Sequence, residues 1–198
     1  MNAFPTGSGA TQSLVYNVLA DSWSEGVTIP GGLWGHGVAR VDSLRGLIVG
    51  GSEGSGPLYT DKARLYDHSL MTLTNIGTLE ESLKNVLCGR VTMSVTSTVI
   101  ACTGGETQDE TKSAKTYVYD ITGGTFARRP EWDLPTGQAG ATGFETQGSL
   151  FYVDSSNTGW LLNPHQVTGG GSHWHPGTVA RKQHPNQMVA VTRAVIRV

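Results

Sequence analysis

The chain has 198 residues, enough for one large domain or two small ones. Apolar residues make up 37% and 27 glycines come in addition, so a core can be built, while charged residues are only 15% against the usual quarter or so. The net charge of −2 and the spread of 14 basic residues, of which Arg128-Arg129 and Arg181-Lys182 are the densest pairs, argue against nucleic acid as a partner. No apolar run is long enough to span a bilayer, and residues 1–9 carry neither a basic start nor an apolar stretch. The expectation is a protein kept inside the cell, unless the chain is a piece of something longer.

Taken in order, Leu14-Val-Tyr16-Asn17 reads as a strand, with Trp23 after it and Ile29-Pro30 closing the unit. A full repeat follows: Arg45-Gly-Leu-Ile-Val-Gly-Gly51 and then Leu65-Tyr66-Asp67. Residues 79–86 have the apolar spacing of a short helical turn that does not persist. The second repeat is Thr98-Val-Ile-Ala-Cys-Thr-Gly-Gly105 and then Val118-Tyr119-Asp120, ending at Trp132 and Leu134-Pro135. The glycine pairs stand 54 residues apart and the Tyr-Asp pairs 53, so two landmarks share nearly one period. A weaker copy, Gly148-Ser-Leu-Phe-Tyr-Val-Asp154 with Gly159-Trp-Leu-Leu-Asn163, lacks the glycine pair. Met188-Val-Ala-Val191 is one more apolar strand.

Short apolar runs such as Leu47-Ile-Val and Val99-Ile-Ala suit strands covered on both faces. Residues 116–121 are rich in β-branched and aromatic side chains, as a strand should be. The glycine pairs suit strand ends that need positive φ or a close neighbour. Cys88 and Cys102 fall on neighbouring strands. A disulfide is sterically open to them, and two buried free thiols are the alternative.

A Gly-Gly after an apolar strand, a later Tyr and a still later Trp resemble the kelch repeat, in the style of the kelch or galactose-oxidase-type propeller regions common in fungi. The matching positions are Gly50, Gly51 and Tyr66; Gly104, Gly105, Tyr119 and Trp132; and Tyr16 and Trp23 in the half-unit. The resemblance implies an all-β fold: a kelch-type β-propeller of about four blades, or a partial propeller, forming a single domain over 1–198. The blades are expected near 34–82, 83–137 and 138–169, with a composite of 10–33 and 170–198 mixing strands from both ends. It also implies that Tyr66, Tyr119 and Trp132 pack between blades. Kelch rings usually need more blades. A closed four-bladed ring, a homodimer completing a larger ring, and a fragment of a longer propeller all stay open.

Candidate chemistry is sparse. In Gly169-Gly-Gly-Ser-His173-Trp174-His175 the two imidazoles alternate onto one side of an extended segment, a spacing that can hold zinc or copper, with His165 and His184 nearby. No third ligand is fixed by a motif, and the expectation is no cofactor. Gly51-Ser52-Glu53-Gly54 lacks the strand-to-helix context of a hydrolase nucleophile. The loops after the glycine pairs, 52–61 and 106–115, differ in length and charge between repeats. Such divergence on equivalent strands suits recognition. The candidate binding residues are Trp34, His36, Glu53, Asp61, Glu106, Asp109 and Trp160. The expected function is a non-catalytic binding or scaffold module for a protein or glycan. The alternatives are a galactose-oxidase-like metal-dependent oxidase and a fragment without separate function.

Overall fold

One polar residue turns the chain at the end of each of three Tyr-containing strands. Asn17 Oδ1 accepts the Leu19 and Ala20 N–H groups at 3.0 Å each, Asp67 Oδ1 accepts those of Ser69 and Leu70 at 2.9 and 3.1 Å, and Asp120 Oδ1 accepts that of Thr122 at 2.9 Å. Such side-chain caps stand in for a backbone turn. Four residues further on, Asp21, Met71 and Gly124 have φ of 47°, 53° and 67°, which swings the chain back into the next strand. The Tyr-Asp landmark of the sequence is thus a hairpin device.

The structure, a computed structural model, describes residues 10–54, 58–140, 142–146, 148–154, 158–162, 164, 173–177, 179–181 and 190–192. His165, His184, Asn163, Met188 and Val189 lie outside them. The strands are β1 (Ala10–Asn17), β2 (Ser22–Trp34), β3 (Gly37–Arg40), β4 (Arg45–Val49), β5 (Ser52–Glu53), β6 (Leu58–Tyr59), β7 (Lys62–Asp67) and β8 (Thr72–Thr78). There follow β9 (Leu87–Ser94), β10 (Ser97–Thr103), β11 (Thr116–Asp120), β12 (Thr125–Arg128), β13 (Thr142–Thr146), β14 (Ser149–Val153), β15 (Gly159–Leu162), β16 (Trp174–Gly177), β17 (Val179–Arg181) and β18 (Ala190–Thr192).

The fold is all-β and built from antiparallel sheets. Three are four-stranded meanders: β3-β4-β7-β8, β9-β10-β11-β12 and β13-β14-β15-β16. A fourth sheet has the order β1-β2-β5-β6, so the N-terminal hairpin joins the short strands that follow Gly51. The described strands near the C-terminus, β17 and β18, pair with each other. Among the described residues there is no α-helix, and so none long and apolar enough to cross a membrane. Residues 79–86 form no helical turn, because their backbone bonds to neighbouring loops: Leu83 N–H donates to the Thr60 carbonyl at 3.2 Å and Lys84 N–H to that of Glu106 at 3.0 Å.

The meanders stack face to face with like strands adjacent: β3 against β9, β9 against β13, and β8 against β12. The middle sheet is buried on both faces. Ile100, Cys102, Tyr117 and Tyr119 pack with Leu47, Val49 and Ala63 of the sheet before it. Val99, Ala101, Val118 and Trp132 pack with Leu150, Tyr152, Leu162 and Trp174 of the sheet after it. The period-two alternation of β10 and β11 sends neighbouring residues into different cores. Tyr119 and Trp132 are therefore buried between sheets, while Tyr66 is half-buried, its hydroxyl 3.4 Å from His68 Nδ1.

Both glycine pairs make one geometry. Gly50, Gly51, Gly104 and Gly105 have φ of 62°, 104°, 69° and 105°. Gly51 N–H donates to the Leu83 carbonyl and Gly105 N–H to the Gln138 carbonyl, both at 2.7 Å. A Cβ on Gly50 would stand 2.3 Å from the Leu83 oxygen, and one on Gly104 would stand 2.7 Å from that of Gln138. A further series with nearly the same spacing, Gly37, Gly89 and Gly143, sits on β3, β9 and β13. There an added Cβ would approach Cys88 Sγ to 2.8 Å, Leu150 Cδ1 to 2.5 Å and Leu87 Cδ2 to 2.5 Å, each on the neighbouring sheet. Cys88 and Cys102 stand directly opposite across β9 and β10 and are joined as a disulfide, with Cα atoms 4.1 Å apart.

Two measurements check this frame. Gly104→Ala should lower the free energy of urea unfolding by about 1–3 kcal/mol, because the positive φ and the Gln138 carbonyl both oppose a methyl group. Alkylation of denatured, unreduced protein should label neither cysteine. After reduction both should react, and the Cys88→Ala, Cys102→Ala double variant should lose about 2–4 kcal/mol. Two labels before reduction would mean free thiols.

Candidate functional site

Release of the chain at Gly51 sends it outward as β5 and β6, and β5 pairs with the end of β2. Trp34 then lies opposite Ser52, and Ser52 opposite Tyr59, in one row across three strands. The connection 79–86 passes beside that row. Lys84 is fixed there by a two-way backbone bridge to Glu106, with N···O distances of 3.0 and 2.9 Å. Its side chain returns over the row. The Lys84 ammonium stands 5.2 Å from the centre of the Trp34 ring and 4.8 Å from that of Tyr59. Both distances lie within the reach of a cation–π contact. The same ammonium is 2.8 Å from Glu106 Oε1.

Hydrogen bonding to Glu106, and then to Tyr59, holds the Lys84 ammonium above the ordinary lysine range. The cation is thus fixed among two rings and a carboxylate, while the Trp34 residue remains 38% exposed. An exposed indole beside a fixed charge can stack on a sugar face or take an aromatic or acidic side chain.

The other expected binding residues fall into separate groups. His36 is half-buried, with Nδ1 enclosed and without a partner among the described residues. Burial first, and the Arg64 charge second, push its pKa below the ordinary histidine value. Glu53 pairs with Arg64 and lies 3.5 Å from Lys62 Nζ. Asp61 contributes its backbone carbonyl, which accepts the Leu79 N–H at 2.7 Å. Asp109 caps a turn, accepting from the Thr107 hydroxyl and, at 3.4 Å, from the Thr111 N–H. The Thr107 hydrogen bond is the main cause of its lowered pKa. Trp160 belongs to β15 in another sheet, and its Nε1–H donates to Asp154 at 3.0 Å.

His173 lies just before β16, its Nδ1 2.7 Å from the backbone oxygen of Glu131 and its ring tilted against Trp132. His175 is in β16 opposite Leu161. Among the described residues no three His, Cys, Asp or Glu side chains gather where they could hold a metal ion.

The structure therefore joins Trp34 to Glu106, from successive repeats, through Lys84. The sequence reading singled out neither Lys84 nor Tyr59. Both sit in segments without a motif: the pairing of β6 with β5 and of β5 with β2 brings Tyr59 to Trp34, and the bridge to Glu106 holds Lys84 beside them. No protein-family model matches the chain, and no curated protein matches it.

A pH titration checks the Lys84 geometry. Its folded pKa is raised, so its contribution to stability should be fully present below the ordinary lysine value and be lost as pH rises through the higher folded value. Lys84→Met should be about 1 kcal/mol less stable than wild type at neutral pH. That gap should close only in strongly alkaline solution.

Proposed function

We propose that the chain is a kelch-type propeller segment acting as a non-catalytic binding module, whose glycine-pair loops present Trp34, Tyr59, Lys84 and Glu106 to a protein or glycan. The observation that carries this reading is the Lys84 ammonium held between two aromatic rings and a carboxylate, with the exposed Trp34 indole at its side. Four residues from separate segments converge there on a framework of stacked sheets, and an aromatic anchor pre-organised by its neighbours binds at a low entropic cost. The near-equal intervals of the glycine pairs and the Tyr-Asp pairs, the equivalent hydrogen bonds to Leu83 and Gln138, and first-to-first strand stacking support the blade reading. In it each meander is a blade, and the loops at the glycine pairs share one rim.

The test is to probe the purified chain against a glycan array and a displayed peptide library, and then to measure the best ligand with Trp34→Ala. Loss of about 2 kcal/mol of binding, with unchanged far-ultraviolet circular dichroism, is the expected result. Ligands that bind Trp34→Ala as tightly as wild type would place recognition elsewhere.

A further inference from the structure

Outside the Trp34 row, the structure holds a charged cavity that the binding reading does not use. Strand β7 carries Lys62 and Arg64 at alternate positions, so both face one side of the sheet, while Ala63 between them points into the core. The register places Arg64 opposite Asn75 of β8. That side of the sheet looks toward β2, and between them lies a cavity of about 590 Å³, a volume within the range of small-molecule sites.

The charges at one end of this cavity are unequal. Arg64 is only 6% exposed, and its Nη2 pairs with Glu53 Oε1. Its Nη1 is enclosed and has no acceptor among the described residues. The Lys62 ammonium stands 3.5 Å from the same Glu53 oxygen, on a side chain that is 42% exposed. Two cations thus share one carboxylate oxygen, and one positive charge is left over. A guanidinium stays protonated even when burial lowers its pKa, so the surplus is fixed. Lys62 can turn a second and third N–H toward an anion entering from solvent, with Arg64 supplying the field behind it.

The remaining walls argue against a bare inorganic ion. Thr28 and Asn75 offer hydroxyl and amide groups, and Ile29 and Leu73 offer apolar surface. A small ion at Lys62 would leave both unused. A pyranose ring has hydroxyls for the first pair and a C–H face for the second. We propose that the cavity between β2 and β8 binds an anionic sugar, a pyranose bearing one carboxylate, anchored by Lys62 against the fixed charge of Arg64.

The experiment is calorimetric titration of the full chain with glucuronate and galacturonate, and with glucose and inorganic phosphate at matched ionic strength. Saturable binding of at least one uronate is expected, about tenfold or more tighter than glucose or phosphate. Lys62→Met should weaken it about tenfold, and Asn75→Ala should weaken it severalfold. Trp34→Ala should leave it unchanged, which separates this site from the proposed binding face. Should Lys62→Met lose its β-sheet spectrum, Lys62→Arg, which keeps the charge, must retain binding while Asn75→Ala weakens it severalfold. Glucose binding as tightly as the uronates overturns the role of charge. Phosphate binding as tightly reduces the site to an anion hole without sugar recognition. No saturation with either uronate overturns the proposal outright.

Discussion

The hydrogen bond from each glycine pair to the connection that follows its meander is the constraint on which the rest of the structure depends. Gly51 to Leu83 and Gly105 to Gln138 tie the end of a second strand to the passage into the next sheet. A carbonyl can come that close only where no Cβ intervenes and the backbone can take positive φ. The bond fixes the offset between successive sheets. It also fixes where the chain leaves the strand, and so where loops 52–61 and 106–115 begin. In the first repeat the same connection carries Lys84 past the loop of the second, which makes the Trp34–Lys84–Glu106 contact a by-product of the stapling.

Offset alone would not hold the sheets together. Burial does that, and it is concentrated on the middle sheet. Each large aliphatic or aromatic side chain moved fully out of water contributes about 1.5–3 kcal/mol, and β10 and β11 place such side chains on both faces. The series Gly37, Gly89 and Gly143 lets the first strands approach closely enough for these layers to interdigitate. Where the stack ends, apolar surface is left: Leu14 and Trp23 of the N-terminal hairpin are each 63% exposed.

The parts of this design that repeat were legible in the sequence. The glycine pairs, the Tyr-Asp strands and the short apolar runs recur at one period, and each corresponds to a local device: a staple, a capped turn, a buried strand. The all-β class followed from them. The site was legible only in pieces. Trp34, Glu53 and Glu106 could be picked out from the loops, but not which of them meet. Tyr59 reaches Trp34 through the pairing of β5 and β6 with β2, Lys84 through a bridge between segments 22 residues apart, and Arg64 is an ordinary strand residue until the register sets it opposite Asn75. Residues 79–86 show the same limit. Their leucine spacing suits a helical turn, yet hydrogen bonds to two flanking loops hold the segment out of one. Local pattern reports local structure, and these contacts are set by tertiary register.

The sparse charge of the chain takes its meaning from where the charges lie. At the seam between the first and second meanders, Arg128 pairs with Asp133 and stands over the Tyr117 ring at 5.5 Å, and Lys115 pairs with Glu80 and Glu81 at 3.2 and 3.4 Å. Burial alone would lower the Arg128 pKa, but its hydrogen bond and attraction to Asp133 outweigh that and raise it. These are balanced seams, in which each cation meets carboxylates. The same economy rules Lys84, whose single charge is matched by Glu106. Arg64 and Lys62 depart from it, because Glu53 alone faces both. Among the ion pairs of the described residues, the one that sets two cations against a single carboxylate oxygen lines the cavity between β2 and β8, and there an added negative charge would complete the pattern.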